Sequence, residues 1–181
     1  MKTKITKATT YQIDATHSEI AFSIKHLMIT SIRGVFTQFE GKVVAGSPDF
    51  TDADIRVEIA TNSLQTQHLQ RDAHLKGDDF FDVAKFPSII FQSATFIQIS
   101  PTHYLLNGML TIRDIQEPVQ LKVFYRGKSI DMQGDVKYGF ELEGSLSRKD
   151  FGLFWNQQTS SGNWLIADEV QLHLNIQLWN I

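Results

Sequence analysis

Cysteine is absent from the 181 residues. That one absence excludes disulfide frameworks, thiolate-held zinc, iron–sulfur clusters and thiol nucleophiles together. Long apolar runs are missing too: the stretches never extend beyond four or five residues, which excludes a membrane-crossing helix. Nor does either sign of charge dominate. Seventeen Lys and Arg against twenty Asp and Glu leave a net charge of -3 and a pI near 6.0. A phosphate backbone or an anionic membrane is therefore not attracted by the chain as a whole, so nucleic acid is not expected as a partner. Lys2, Lys4 and Lys7 carry the positive charge of an export signal, but no apolar run follows them, and the expected location is the cytoplasm.

What is present is 42% hydrophobic and 11% aromatic residues. A chain of this length buries roughly 70% of its extended surface, enough for a core without staples. No repeat, low-complexity segment or linker divides it, so one domain over residues 1–181 is expected, with 1–10 as a flexible lead.

Apolar residues recur at every second position in block after block, the signature of half-buried strands. Ala53, Ile55, Val57 and Ile59 alternate with Asp54, Arg56 and Glu58; the same parity runs through Val136–Leu146 and Val170–Leu178. It also marks Ile20–Ile24, Val35–Val43, Ile89–Ile99, Tyr104–Ile112 and Val119–Tyr125, which makes eight strands. Short Gly, Pro, Asn and Asp clusters between most neighbours favour antiparallel, up-and-down order. Two longer inserts interrupt it. Residues 61–86, between the third and fourth strands, space Leu64, Leu69, Ala73 and Leu75 for one or two short helices. Residues 147–168, rich in Gly, Asn, Ser and Trp, read as an ordered loop. The fold class is therefore all-β: eight antiparallel strands closed into a barrel, with a two-sheet sandwich as the alternative. Charged residues such as Arg56, Glu58, Lys122 and Glu141 do not fit inside eight strands, so the apolar face lines the interior.

An interior of this size is either filled by side chains or holds one small ligand. Thirteen phenylalanines, with Phe22, Phe39, Phe91 and Phe140 on the inward parity, serve either purpose. By composition a filled core is the commoner outcome. Gly41, Gly108 and Gly144 interrupt inward rows, marking either bends or room for another group. His17 and His26 fall nine apart, on opposite parity, and His68 and His74 six apart, off the helical face repeat. Neither spacing builds a metal or acid–base site. The chain also lacks a Gly-rich phosphate loop, a Gly-x-Ser-x-Gly elbow and an EF-hand ladder.

Several ordered motifs carry a more specific signal. Asp14-Ala-Thr-His17-Ser-Glu-Ile20-Ala-Phe22-Ser-Ile24-Lys-His26-Leu27-Met28, with Arg33-Gly34-Val35-Phe36 behind it, resembles the opening of the YceI-like family of polyisoprenoid-binding, lipocalin-like proteins. Arg71-Asp72-Ala-His74-Leu75, Phe81-Asp82 through Phe86-Pro87, Gly108 through Arg113, Arg148 through Leu153 and Ile166 through Val170 continue the likeness in order. The resemblance implies an extended eight-stranded barrel whose long apolar pore takes a polyisoprenoid or similar amphiphilic chain, as carrier, store or sensor. It implies no catalysis and no cofactor beyond such a lipid. The expected tail-binding residues are Phe22, Ile24, Phe39, Ile55, Ile59, Phe91, Leu110, Val123, Phe140 and Leu172. The expected mouth residues are His17, Arg71, Asp72, His74, Arg113 and Asp150. Arg71–Asp72 and Arg148–Asp150 could instead tie the inserts to the barrel. Two alternatives stand beside lipid binding: an enzyme using His17, His26 or His74 with Asp72 on the bound chain, and a filled barrel acting through its surface as a stress protein. A homodimer that shields a protruding ligand is a further expectation.

Overall fold

The structure is a computed structural model that describes residues 8–181. The alternating blocks form strands β1 (Thr9–Ile13), β2 (Glu19–His26), β3 (Thr30–Phe36), β4 (Phe39–Ala45), β5 (Asp54–Ala60), β6 (Leu64–Gln65), β7 (Ser88–Ser100), β8 (His103–Ile112), β9 (Ile115–Ile130), β10 (Val136–Ser147) and β11 (Ile166–Asn180). All neighbouring pairs are antiparallel.

Eleven segments make eight barrel staves because three staves are each broken once. β1 and β2 run in the same direction along β11, interrupted by a 3-10 turn at Ala15–His17, where the Asp14 carboxylate accepts from Thr16 N–H. β3 and β4 pair with β2 and β1 respectively, with a break at Thr37 and Gln38 inside the sequence block that reads as one strand. β5 and β6 follow β4 and β3, separated by a turn at Thr61–Ser63. The sheet closes where β1 and β2 meet β11, with Tyr11 opposite Asn180 and Phe22 opposite Leu172. Closure leaves one continuous interior, so the sandwich alternative falls.

Residues 1–7 of the expected flexible lead lie outside the described residues, and Thr9 and Thr10 belong to β1. The insert between the third and fourth staves holds one helix, α1 (Leu69–Lys76), starting where His68 Nδ1 accepts from Arg71 N–H at 3.2 Å. A histidine ring takes the capping role that Asn62 or Ser63 would fill if the helix began earlier. The loop after β10 opens with a 3-10 turn, Arg148–Phe151, ended by Gly152 at φ 74°. Phe151, 1% exposed, plugs this turn into the barrel wall.

Candidate functional site

The interior is not filled. A cavity of about 850 Å³ runs along the barrel, lined from nearly every stave by aliphatic and aromatic side chains. At about 30 Å³ per water-sized group, that is room for on the order of 30 heavy atoms of ligand. Composition favours a packed core, but whether inward side chains meet depends on barrel radius and strand tilt, which alternation does not encode.

The three inward glycines do not create this space. A Cβ on Gly41 would lie 2.3 Å from Ile13 Cδ1, one on Gly108 2.4 Å from Phe91 Cζ, and one on Gly144 2.5 Å from Leu121 Cδ2. The room they leave is already used by neighbours across the sheet.

One end of the cavity is closed by rings. Its lining stops at Phe50 and Phe140, beyond which Tyr11 and Tyr138 pack edge-on or tilted, with centroids 5.0–5.5 Å apart. Burial raises the Tyr11 hydroxyl pKa, and Tyr138 beside it adds to the shift. Phe50 is held by a tight turn at left-handed φ 60°. Asp49 beside it accepts from Ser47 and from the Thr51 hydroxyl and N–H, which lowers its carboxyl to about 2.

The opposite end is the mouth. It is framed by the β2–β3 turn, by α1 with the segment before it, and by the loop 153–165. Polar side chains gather here: His26, His68, Gln70, Arg71, His74 and Gln157 all reach the cavity. Arg71 donates from Nε to Thr66 Oγ1 at 2.7 Å and from Nη2 to Thr66 O at 2.8 Å, which holds its guanidinium at the opening. His74 Nε2 lies 2.9 Å from Asp79 Oδ2, and its ring stands edge-on to Trp155 at 4.7 Å. Arg148, 3% exposed, is the anchor of the loop. It donates to the carbonyls of Ala167, Leu153 and Trp155 and to the Asp168 carboxylate. Burial lowers the pKa of this guanidinium, and Asp168 opposes that shift.

Nine of the ten residues expected along the tail line the cavity: Phe22, Ile24, Ile55, Ile59, Phe91, Leu110, Val123, Phe140 and Leu172. Phe39 does not; it packs between the two halves of the core, where the second stave breaks. Of the six residues expected at the mouth, Arg71 and His74 reach it. His17 lies away from it on the turn between β1 and β2, with Nδ1 2.9 Å from Asp14 Oδ2. Asp72 is turned into the wall, where its Oδ1 accepts from Thr66 N–H and Oγ1. Arg113 lies over the Phe86 ring in the β8–β9 turn, and Asp150 is exposed on the 3-10 turn. Arg148 pairs with Asp168 rather than Asp150, because β11 runs directly beside the turn.

Asp72, the carboxylate expected beside a histidine, is bonded elsewhere. His17 pairs with Asp14, His74 with Asp79, and Asp72 with Thr66. Among the described residues no three His, Asp or Glu side chains could hold a metal ion together. Sequence reasoning missed His68, Arg148, Trp155 and Gln157 as cavity residues. Three of them come from the loop, where no period shows which side chains turn inward; the two tryptophans in a Ser- and Asn-rich stretch were the available signal.

A closed antiparallel eight-stranded barrel enclosing a long apolar cavity, with its polar groups collected at one opening, is a lipocalin-like barrel. The chain belongs to the YceI-like family, whose domain profile matches residues 11–178. It is 34% identical over 172 residues to a UPF0312 protein of Yersinia pestis strain Pestoides F, covering 94% of this chain and 86% of that one. A UPF0312 protein of Shewanella denitrificans is 32% identical over 158 residues, covering 86% and 83%. Among solved structures, the YceI protein of Campylobacter jejuni superposes with a TM-score of 0.71 at 25% identity, over 87% of this chain and 90% of that one. A polyisoprenoid binding domain from Saccharophagus degradans shares the fold, with a TM-score of 0.64 at 13% identity over 96% and 99%.

Proposed function

We propose that the protein binds a polyisoprenoid or similar long-chain amphiphile, tail inward, and acts as its carrier or store rather than as a catalyst. The observation that carries this reading is the cavity: about 850 Å³, apolar along its length, closed by rings at one end and polar only at the other. Each methylene moved from water into such a site contributes about 0.8 kcal/mol, so the tail supplies the affinity. The head group stays at the mouth, where Arg71, His68 and Gln157 offer hydrogen bonds. The solved relative described as a polyisoprenoid binding domain supports the ligand class.

Native mass spectrometry of freshly purified protein, followed by solvent extraction and uptake of a fluorescent polyprenyl probe, tests the reading. The expected result is one lipid per chain and saturable probe binding. Leu172→Trp, which places an indole in the cavity where there is room for it, should abolish uptake while leaving the fold intact. A lipid-free mass with no probe uptake, or uptake unchanged in Leu172→Trp, would overturn the proposal.

A further inference from the structure

Three stretches on the rim of the mouth differ in composition from the rest of the chain. Residues 26–32, 64–70 and 153–166 contain no Asp, Glu, Lys or Arg, although charged residues make up 20% of the sequence. Instead each segment exposes large apolar side chains: Met28 and Ile29 in the first, Leu69 in the second, Phe154 and Trp164 in the third, all more than half exposed. They surround one opening. Leu27 N–H donates to Leu165 O at 2.9 Å, Ile166 pairs with His26, and Trp155, next to Phe154, stands over His74 of α1. Single exposed apolar residues need no account, but five gathered round one opening do.

The backbone adds a second observation. Leu27 and Met28 hold φ 51° and 61° in the β2–β3 turn, the left-handed region that such turns normally fill with Asn-Gly. For residues with these side chains that conformation costs roughly 1–2 kcal/mol each. Stability would select against this turn twice, once for its backbone and once for its exposed methionine and isoleucine. A partner that covers the side chains accounts for both.

The chemistry of the ring identifies that partner. A protein surface would be oriented on it by several ion pairs, and these three stretches supply no partner for one; the charge that does stand at the opening, Arg71, is held on Thr66. Tryptophan, phenylalanine and aliphatic side chains interspersed with Asn, Gln, Ser and Thr suit the interfacial zone of a bilayer, where indoles sit at head-group level and aliphatic groups reach the acyl boundary. The cavity opens in the middle of the ring, so an amphiphile drawn from the bilayer by its tail passes into the pore without exposing that tail to water.

We infer that the rim docks on the interface of a neutral lipid bilayer, mouth toward the membrane. The purpose of this docking rests on the reading of the pore as a lipid site; its geometry does not. Sedimentation with sucrose-loaded phosphatidylcholine vesicles, and quenching of tryptophan emission by brominated phosphatidylcholine, read it directly. The wild-type protein should partition to the vesicles about equally at low and high salt. The double variant Ile29→Glu, Phe154→Glu should lose about tenfold or more in partitioning, a change of roughly 1.4 kcal/mol or more. Ile99→Glu with Ile130→Glu, which removes two exposed apolar side chains at the other end of the barrel, should behave as wild type.

Wild-type protein that stays in the supernatant, or equal losses in both double variants, overturns the inference. So does a dimer that Ile29→Glu, Phe154→Glu dissolves while vesicles fail to compete for it, because the rim is then covered by a second copy. Uptake of the polyprenyl probe from cyclodextrin, without vesicles, separates the two readings. Uptake without vesicle binding leaves the pore proposal standing alone, and vesicle binding without uptake leaves the docking standing alone.

Discussion

At Gly108 the place of a side chain is occupied from two sides, by Phe91 Cζ at 2.4 Å and by the carbonyl oxygen of Gln92 at 2.5 Å. A phenyl ring can swing aside, but a backbone carbonyl in a paired strand cannot do so without breaking the ladder. Gly108→Ala should therefore destabilise the fold by about 1–3 kcal/mol, the range for overpacking. Gly139→Ala, whose new Cβ would find Arg126 Cβ at an ordinary 3.6 Å, should change little. Urea denaturation of the two variants checks the contrast, and equal midpoints would show that the β7–β8 pair is looser than described. The lesson reaches back to the sequence. A glycine in an inward row reads as either a bend or room for another group, and that a neighbour fills the place at Gly108 depends on the rotamer of Phe91 on another strand.

The strands were legible because burial of one face forces a period of two, and eight staves follow from eight such blocks. β1 escaped because only Tyr11 and Ile13 mark its inward parity, too few to distinguish a strand from a lead. β6 escaped because two residues cannot display a period. The break between β3 and β4 is hidden for a different reason: Val35, Thr37, Phe39, Gly41 and Val43 read as one inward row, whereas in the structure Ile32, Gly34 and Phe36 face inward in β3 and the parity flips across Thr37 and Gln38 as the chain changes partners from β2 to β1. The loop 153–165 has no repeat at all and is held chiefly by two side chains, Asn156, whose amide bonds both the N–H and the carbonyl of Ile166, and Arg148. Arg148 spans three carbonyls and a carboxylate, a task for a planar fork of donors that a lysine ammonium cannot reproduce. Arg148→Lys should cost about 1–3 kcal/mol, since the carbonyls of Leu153, Trp155 and Ala167 lose donors, while Asp168, half exposed, keeps Lys149. Hydrogen exchange should rise first in residues 153–165 and at the start of β11. Uniform loss of protection around the barrel would mean that the loop and the staves unfold as one unit.

On the scale of the whole barrel, the cavity is a cost to the empty protein. Side chains facing it lack partners on one side and forfeit part of their dispersion energy, and a ligand restores it. Binding only to the folded state stabilises by about 2.7 kcal/mol at a hundredfold excess over Kd. Stripping lipid from the purified protein should therefore lower its Tm, and adding polyprenyl alcohol back should raise it with concentration. A Tm indifferent to both would contradict an apolar occupant. The cavity wall was legible from parity at nine of ten positions, since parity says which side chains face inward. The mouth was not, because Asp72 and Arg113 are held by local partners that only the folded insert and turn bring together. Ile181 N–H donates to Thr10 O at 3.0 Å, beside the β1–β11 seam and remote from α1. Whatever is fused after Ile181 therefore leaves from the closed pole, and a molecule tethered by it to a bead or a sensor chip would present its opening to the solution.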